Sequence, residues 1–434
     1  MRTLSLTVAI ASALLASTGF SADETARPPQ TVVHCGHLID TDAGTVLGAT
    51  TIVIEGERVK ELRSGRADVA GAKVLELNES TCLPGLIDSH THLTGQTSPT
   101  SYSDRFRWNE ADYAIRSTVY AKTTLEAGFT TVRNVGDSAY DSVALRNAIN
   151  AGVIPGPRIF TAGKAIGSTG GHGDPTNGYR QDLAGDPSVK EGVINGVDDA
   201  VKTVRLHYKN GVDLIKIMPS GGVLDESSSA DNAQMTLEEI KAIVATAHDY
   251  GFTVAAHAHG AEAIRRAVLG GVDSIEHGTF LNDEDFRLMK EHGTWLVPTI
   301  IAGKYVQDMA EKPGYYPARV AEKAKIVGPL IQATAGRAYK AGVKIAFGTD
   351  AAVYPHGMNA KEFVYMVEAG MPPMFVIQAA TTHAAQLLKH EKELGSIAPG
   401  KFADVIAVQG DPLADVSLLQ KVSFVMKAGA VVKQ

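Results

Sequence analysis

Cysteine is nearly absent: 434 residues contain two, Cys35 and Cys82. Two in so long a chain cannot form the dense disulfide framework of a small secreted scaffold. One disulfide and two buried apolar thiols both fit the sequence, and nothing places a base beside either residue. Basic runs are absent too. Lys and Arg total 41 against 48 Asp and Glu, a formal net charge of −7. Without a concentrated positive patch, neither nucleic acid nor an anionic membrane is an expected partner. Beyond the N-terminal segment, no apolar run approaches the roughly 20 residues that a membrane helix needs. Glycine (43) and proline (18) stay below low-complexity levels. What remains is a chain with the length and composition for a large core, built as two or three domains or as one large α/β barrel with an attachment. A small molecule is the expected partner.

Residues Met1 to Ala22 read MRTLSLTVAIASALLASTGFSA. One early cation, Arg2, precedes an apolar run from Leu4 to Leu15, and small residues then lead to Asp23 and Glu24. This is the three-part pattern of a secretory signal, too short for a membrane anchor. No cysteine at the boundary offers a lipid site. Residues 1–22 are therefore expected to be cleaved after Ser21 or Ala22, leaving an exported protein, periplasmic or secreted.

From about residue 110 one unit repeats: a helical stretch, a glycine suited to a left-handed helix stop, then a short β-branched run. Gly128, Gly152, Gly211, Gly251, Gly271, Gly293 and Gly342 each precede such a run. With PGLIDSHTH, from Pro84 to His92, that makes eight strands, the count of a closed (β/α)8 TIM-type barrel. The Gly-rich phosphate fingerprint of an open doubly wound sheet is missing. Thr236 and Glu239 have the spacing of a capping box at one helix start. The flanks instead show alternating strands. The expected architecture is a barrel over residues 84–393 inserted in a small composite β-sandwich domain, residues 23–83 and 394–434, its sheet assembled from both chain ends.

A parallel barrel builds its active site at the carboxyl ends of its strands. The first run ends in Asp88-Ser-His90-Thr-His92, and the period of two turns both histidines into the barrel. The fourth carries Lys216, the fifth His257, the sixth His277 and the eighth Asp350. Taken singly, each has a plain structural explanation. Together they form a set suited to Zn²⁺ or a similar divalent ion. A charged lysine beside such ions is unfavourable, whereas its carbamate, formed with CO₂, is anionic and can bridge two of them. His172 follows the third strand and His259 shares the strand face of His257, which makes both candidates for substrate contact. Tyr354 and His356, just past Asp350, and Arg133 are further candidates to anchor a substrate carboxylate. Asp88 reads as a structural partner of the histidine pair.

The series PGLIDSHTH, GFTTVRNVGD, DLIKI, HAHG, EHG and GTD, with the tail GSIAPGKFADVIAV, resembles the amidohydrolase superfamily. Within it, the similarity is to the Xaa-Pro dipeptidase and imidazolonepropionase-related branch, which includes carboxypeptidases and ochratoxin-degrading amidohydrolases. It covers nearly the whole chain after the leader. The resemblance implies two divalent metals, zinc foremost: His90, His92, Lys216 and Asp350 on one, and Lys216, His257 and His277 on the other. Lys216 argues against the one-metal deaminases and true imidazolonepropionases. The implied activity is hydrolysis of the amide that joins an acyl or aminoacyl group to a C-terminal apolar or prolyl amino acid, ochratoxin-type phenylalanine amides included. A metal-bridging hydroxide would attack, with Asp350 as proton shuttle. A homo-oligomer, octameric by analogy, is also implied. The alternative keeps the site but opens a lactone, cyclic imide or phosphotriester.

Overall fold

The computed structural model describes residues 30–226 and 229–434. The expected signal, residues 1–22, lies outside the described residues. Among those described, no helix is long and apolar enough to cross a membrane.

Both ends of the described chain build one eight-stranded sheet. Its order runs Ala430–Lys433, Phe424–Lys427, Val405–Gln409, Lys73–Pro84, Gln30–Asp40, Thr50–Glu55, Arg58–Ser64, with Thr45–Leu47 paired on Gln30–Asp40. The seam between the two ends is antiparallel and sets Ile406 opposite Leu83. The sheet folds over on itself, because Ala403 N donates to Glu57 O at 2.8 Å and Gly429 N donates to Ala403 O at 3.0 Å. Alternating residues such as Val33, Ile52, Ile54, Phe424 and Met426 fill the space enclosed. Cys35 and Cys82 are bonded there, Cα atoms 5.9 Å apart. In the chain-entropy account, a closed loop of 47 residues stabilises by about 4 kcal/mol.

The barrel follows the helix, glycine, strand rule. All seven glycines expected at its turns have positive φ, from 70° at Gly152 to 100° at Gly128, where a Cβ would be strained. Thr236 and Glu239 form the expected capping box on helix Leu237–Asp249. Strands Leu86–Thr91, Phe129–Asn134 and Arg158–Thr161 make one parallel arc. Ile215–Ile217, Val254–Ala258, Ser274–His277 and Trp295–Val297 make the other. The arcs meet through a bridge between Ile166 and Ile217 and a hydrogen bond from Asp213 N to Thr161 O at 2.7 Å.

The eighth position differs from a regular strand. Residues 344–351 close the barrel by single bonds, Leu296 N to Lys344 O at 2.8 Å and Ser89 N to Phe347 O at 2.9 Å. The ladder cannot continue because Asp350 and Ala352 have φ of 60° and 114°, which turn the chain across the end of the first strand. At the opposite mouth lies a groove of about 530 Å³ lined by Arg146, Arg158, Asp213 and Glu393. Its charges are already paired, Arg146 with Asp213 and Arg158 with Asp404. The unpaired chemistry sits at the other end.

Candidate metal centre

The carboxyl ends of five strand positions converge. His90 and His277 have ring centroids 5.0 Å apart, His257 and His277 4.6 Å, and His90 and His92 5.4 Å. Asp350 Oδ1 lies 3.2 Å from His92 Nε2 and 3.5 Å from His90 Nε2. Lys216 is 1% exposed among them. One donor atom from each of His90, His277 and Asp350 falls within a 4.8 Å cluster, and His257, His259 and His277 form a second. Imidazole and carboxylate donors at such spacing can hold a divalent cation.

The donors are also oriented. His90 Nδ1 meets Glu276 Oε2 at 2.7 Å, and His92 Nδ1 meets Gly136 O at 3.0 Å. His257 Nε2 meets Gly221 O at 3.1 Å, and His277 Nδ1 meets Thr299 Oγ1 at 2.7 Å. His90 Nδ1, His92 Nδ1 and His257 Nε2 donate to carboxylate or carbonyl oxygens, which leaves a lone pair on the other nitrogen of each ring, while His277 shares its hydrogen bond with a hydroxyl. Burial and neighbouring imidazoles hold His257 and His277 well below the usual histidine range, and burial with Lys216 lowers His90. They stay neutral, as ligands must. Burial pushes Asp350 up, but His90 and His92 outweigh it and hold its carboxyl well below the usual range. Burial lowers Lys216 to about 8.

Backbone strain gathers at the same place. His277, Asp350 and Ala352 have positive φ, as does Thr299, the partner of His277. Such conformations in residues with a Cβ cost about 1–3 kcal/mol each and persist where the surroundings impose them.

His172 lies in the loop beyond the third strand. Its ring centroid is 4.5 Å from that of His257, and its Nδ1 meets Asp225 Oδ2 at 2.6 Å. His259 stacks on His277 at 5.0 Å and its Nδ1 meets Thr279 Oγ1 at 2.8 Å. Tyr354 is fully buried and packs with Ile301 and Ala351.

Two anchor candidates are corrected. Arg133 is fully buried and bonds Ser89 O at 2.5 Å, Ser274 Oγ at 3.1 Å and Glu276 Oε1 at 2.7 Å, with no guanidinium face left for a substrate. His356 donates from Nε2 to Gly95 O at 2.8 Å, stacks on Tyr120, and is lowered to about 4 by burial, so it carries no charge for a carboxylate. Asp88 has the expected structural place: it accepts from His90 N at 3.1 Å, Thr349 Oγ1 at 2.6 Å and Asn359 Nδ2 at 2.8 Å.

Glu276 was missed. Regular alternation along SIEH turns residues 276 and 277 to opposite faces. The left-handed φ of 71° at His277 breaks that alternation, and both residues reach His90. The sequence signal was a carboxylate inside an apolar strand, where an acid is rarely buried without a partner.

A model of the amidohydrolase family matches residues 81–432. The ochratoxinase of Aspergillus niger is 31% identical over 426 residues, spanning 93% of this chain and 86% of that protein. The crystal structure of a Xaa-Pro dipeptidase with methionine bound in its active site is 47% identical, with a TM-score of 0.91 over 93% of this chain and all of that one, 100%. A prolidase complexed with N-methylphosphonate-L-proline is 32% identical, TM-score 0.84, over 93% of this chain and 100% of that chain. With the barrel, its composite β domain and the clustered donors already in place, these matches settle the family: the chain belongs to the amidohydrolases and is a hydrolase of amide bonds.

Proposed function

We propose that this enzyme releases a C-terminal apolar or prolyl amino acid from dipeptides or N-acyl amino acids, phenylalanine amides of the ochratoxin type among them. The observation that carries this reading is the set of four strand-end histidines, each with one ring nitrogen tied to a fixed oxygen, clustered with Asp350 and the buried Lys216. The dipeptidase and ochratoxinase relatives support the substrate class.

On this reading His90, His92, Lys216 and Asp350 hold one divalent cation and Lys216, His257 and His277 the other, with zinc the first choice for imidazole and carboxylate donors. When bound, the cations polarise the scissile carbonyl and make water a nucleophile near neutral pH. Burial brings the Lys216 amine close to its neutral form. The Nζ lone pair of the neutral amine then forms a bond to the carbon of CO₂ while one C=O π pair moves to oxygen and a proton passes from nitrogen to solvent water, giving a carbamate whose two oxygens replace an ammonium that would repel the cations. Asp350, anionic at neutral pH, takes the proton of the attacking water on a carboxylate oxygen and returns it to the leaving amine nitrogen. His172, oriented by Asp225, and His259, oriented by Thr279, present their Nε2 atoms to the substrate. The leader sequence and the Cys35–Cys82 bond support an exported protein, since disulfides persist in oxidising compartments.

The test is amino-acid release from a panel of Xaa-Pro, Xaa-Phe and N-aroyl-phenylalanine compounds by zinc-loaded protein, with a metal-stripped control. Zinc-dependent release is expected. No release from any member with both metals bound would shift the activity to lactones, imides or phosphotriesters.

A further inference from the structure

Thr299 is a β-branched residue at φ 52°, fully buried, a conformation such side chains rarely adopt. It immediately precedes helix Ile300–Ala310. The first two helical N–H groups, of Ile300 and Ile301, donate to Glu362 Oε1 and Oε2 at 2.8 and 2.7 Å. Glu362 comes from another helix, Lys361–Glu368, and is itself fully buried. The first N–H groups of this buried helix need acceptors, and the Thr299 side chain supplies none. The arrangement also fixes the start of helix Ile300–Ala310, and with it Thr299, whose Oγ1 lies 2.7 Å from His277 Nδ1. Both oxygens of Glu362 are thus engaged by the two residues that directly follow the strained Thr299.

The geometry points to Glu362 as a positioning residue for His277, acting through the strained Thr299. This rests on the reading of His277 as a metal ligand. Removing the carboxylate lets the helix start withdraw, takes Oγ1 away from Nδ1, and frees the imidazole to rotate or to change tautomer. Glu362 touches no reacting atom, so its effect is on metal affinity rather than on the chemical step.

The experiment is zinc competition with a chromophoric chelator, on apoprotein reconstituted with zinc chloride and bicarbonate, alongside thermal melting of the apoprotein. Glu362→Gln keeps the volume but turns an NH₂ group towards one of the two N–H donors. It and Thr299→Val should each weaken one of the two zinc equivalents by about 10–100-fold, the usual effect of losing a partner of a ligating histidine. The double variant should lose little more, because the two residues act in series, and Thr299→Ser should restore near-native affinity. A Glu362→Gln protein with a lowered melting temperature but native zinc affinity at both sites would make Glu362 a helix cap alone and overturn the inference. If that variant does not fold, Glu362→Asp, too short to reach both donors, is read against the same two outcomes. His277→Ala retaining two zinc ions at native affinity would instead remove His277 from the metal site, a failure of the functional reading and distinct from the first.

Discussion

His90 and Glu276 face each other across the barrel, Nδ1 to Oε2 at 2.7 Å, and Arg133 holds the other carboxylate oxygen at 2.7 Å. All three are essentially inaccessible to water. The pair thus fixes the tautomer of a candidate ligand and neutralises a guanidinium that has nowhere else to go. Glu276→Gln should weaken zinc binding by about 10–100-fold. It should also destabilise the apoprotein by about 3–5 kcal/mol, because one partner of a buried ion pair is left uncompensated. Chelator competition and urea unfolding check the two effects; native zinc affinity in this variant would show that the bond does not orient His90.

Acid should undo the same contact. Burial pushes Glu276 up, but Arg133 and His90 outweigh it and hold its carboxyl at about 2. The folded pKa lies below the unfolded value, so the native state releases this proton more readily. The stabilisation is complete above the ordinary glutamate range near 4.5 and is lost as pH falls from there towards 2, by up to about 3 kcal/mol. Urea unfolding of the apoprotein between pH 7 and 3 should show an acid limb that flattens in Glu276→Gln. An identical limb in that variant would assign the acid sensitivity to other carboxylates.

A Cβ placed on Gly222 would stand 2.1 Å from Cε1 of His172, far inside contact distance. The glycine is therefore needed for the ring to lie where it does, beside His257 and bonded to Asp225. Gly222→Ala should displace His172 and lower kcat/KM by about 100-fold, the scale of an ångström-sized misplacement. Zinc content should stay at the native level. Unchanged kinetics would take His172 out of substrate binding.

The barrel was legible because its signals are local. Gly211 and Gly293 mark helix stops that only a left-handed residue can make, and each is followed by a run too short and too β-branched for a helix. His90 and His92 were legible through strand periodicity, which needs no tertiary information. Glu276, Thr299 and Glu362 were not, for one physical reason: their roles depend on contacts between elements far apart in sequence, and on left-handed conformations at His277 and Thr299 that break the periodicity used to read them. The same limit explains Arg133, whose position near the end of the second strand suggested a substrate anchor while its partner Glu276 lay 143 residues away. The Cys35–Cys82 bond likewise needed the parallel pairing of two strands to be seen.

Lys216 carries a prediction that depends on pH in a defined direction. Its amine is lowered to about 8, burial being the main cause, and only the neutral amine attacks CO₂. Reconstitution of apoprotein with zinc at a constant concentration of dissolved CO₂ should therefore quicken as pH rises from 7 to 9, and should slow when CO₂ is excluded. Lys216→Ala should lose metal occupancy and regain part of it with a short carboxylate such as acetate or propionate. Full occupancy of Lys216→Ala with no carboxylate added would rule out the carbamate.

Asp350 offers the cleanest separation of binding from chemistry. Its φ of 60° is one that asparagine tolerates better than most residues, so Asp350→Asn should keep the backbone in place. The amide can still offer an oxygen to a cation but cannot take up a proton at neutral pH. If Asp350 moves the proton from water to the leaving amine, the variant should retain zinc while turnover falls by about 10²–10⁴-fold, the range of general acid–base catalysis. The loss should appear in kcat rather than KM, because substrate contacts are assigned to His172 and His259. A leaving group that needs no protonation, such as the phenolate of a p-nitrophenyl ester, should recover part of the rate in the variant. Zinc content and burst kinetics together decide the matter. Near-native kcat with both metals bound would give the proton transfer to another group.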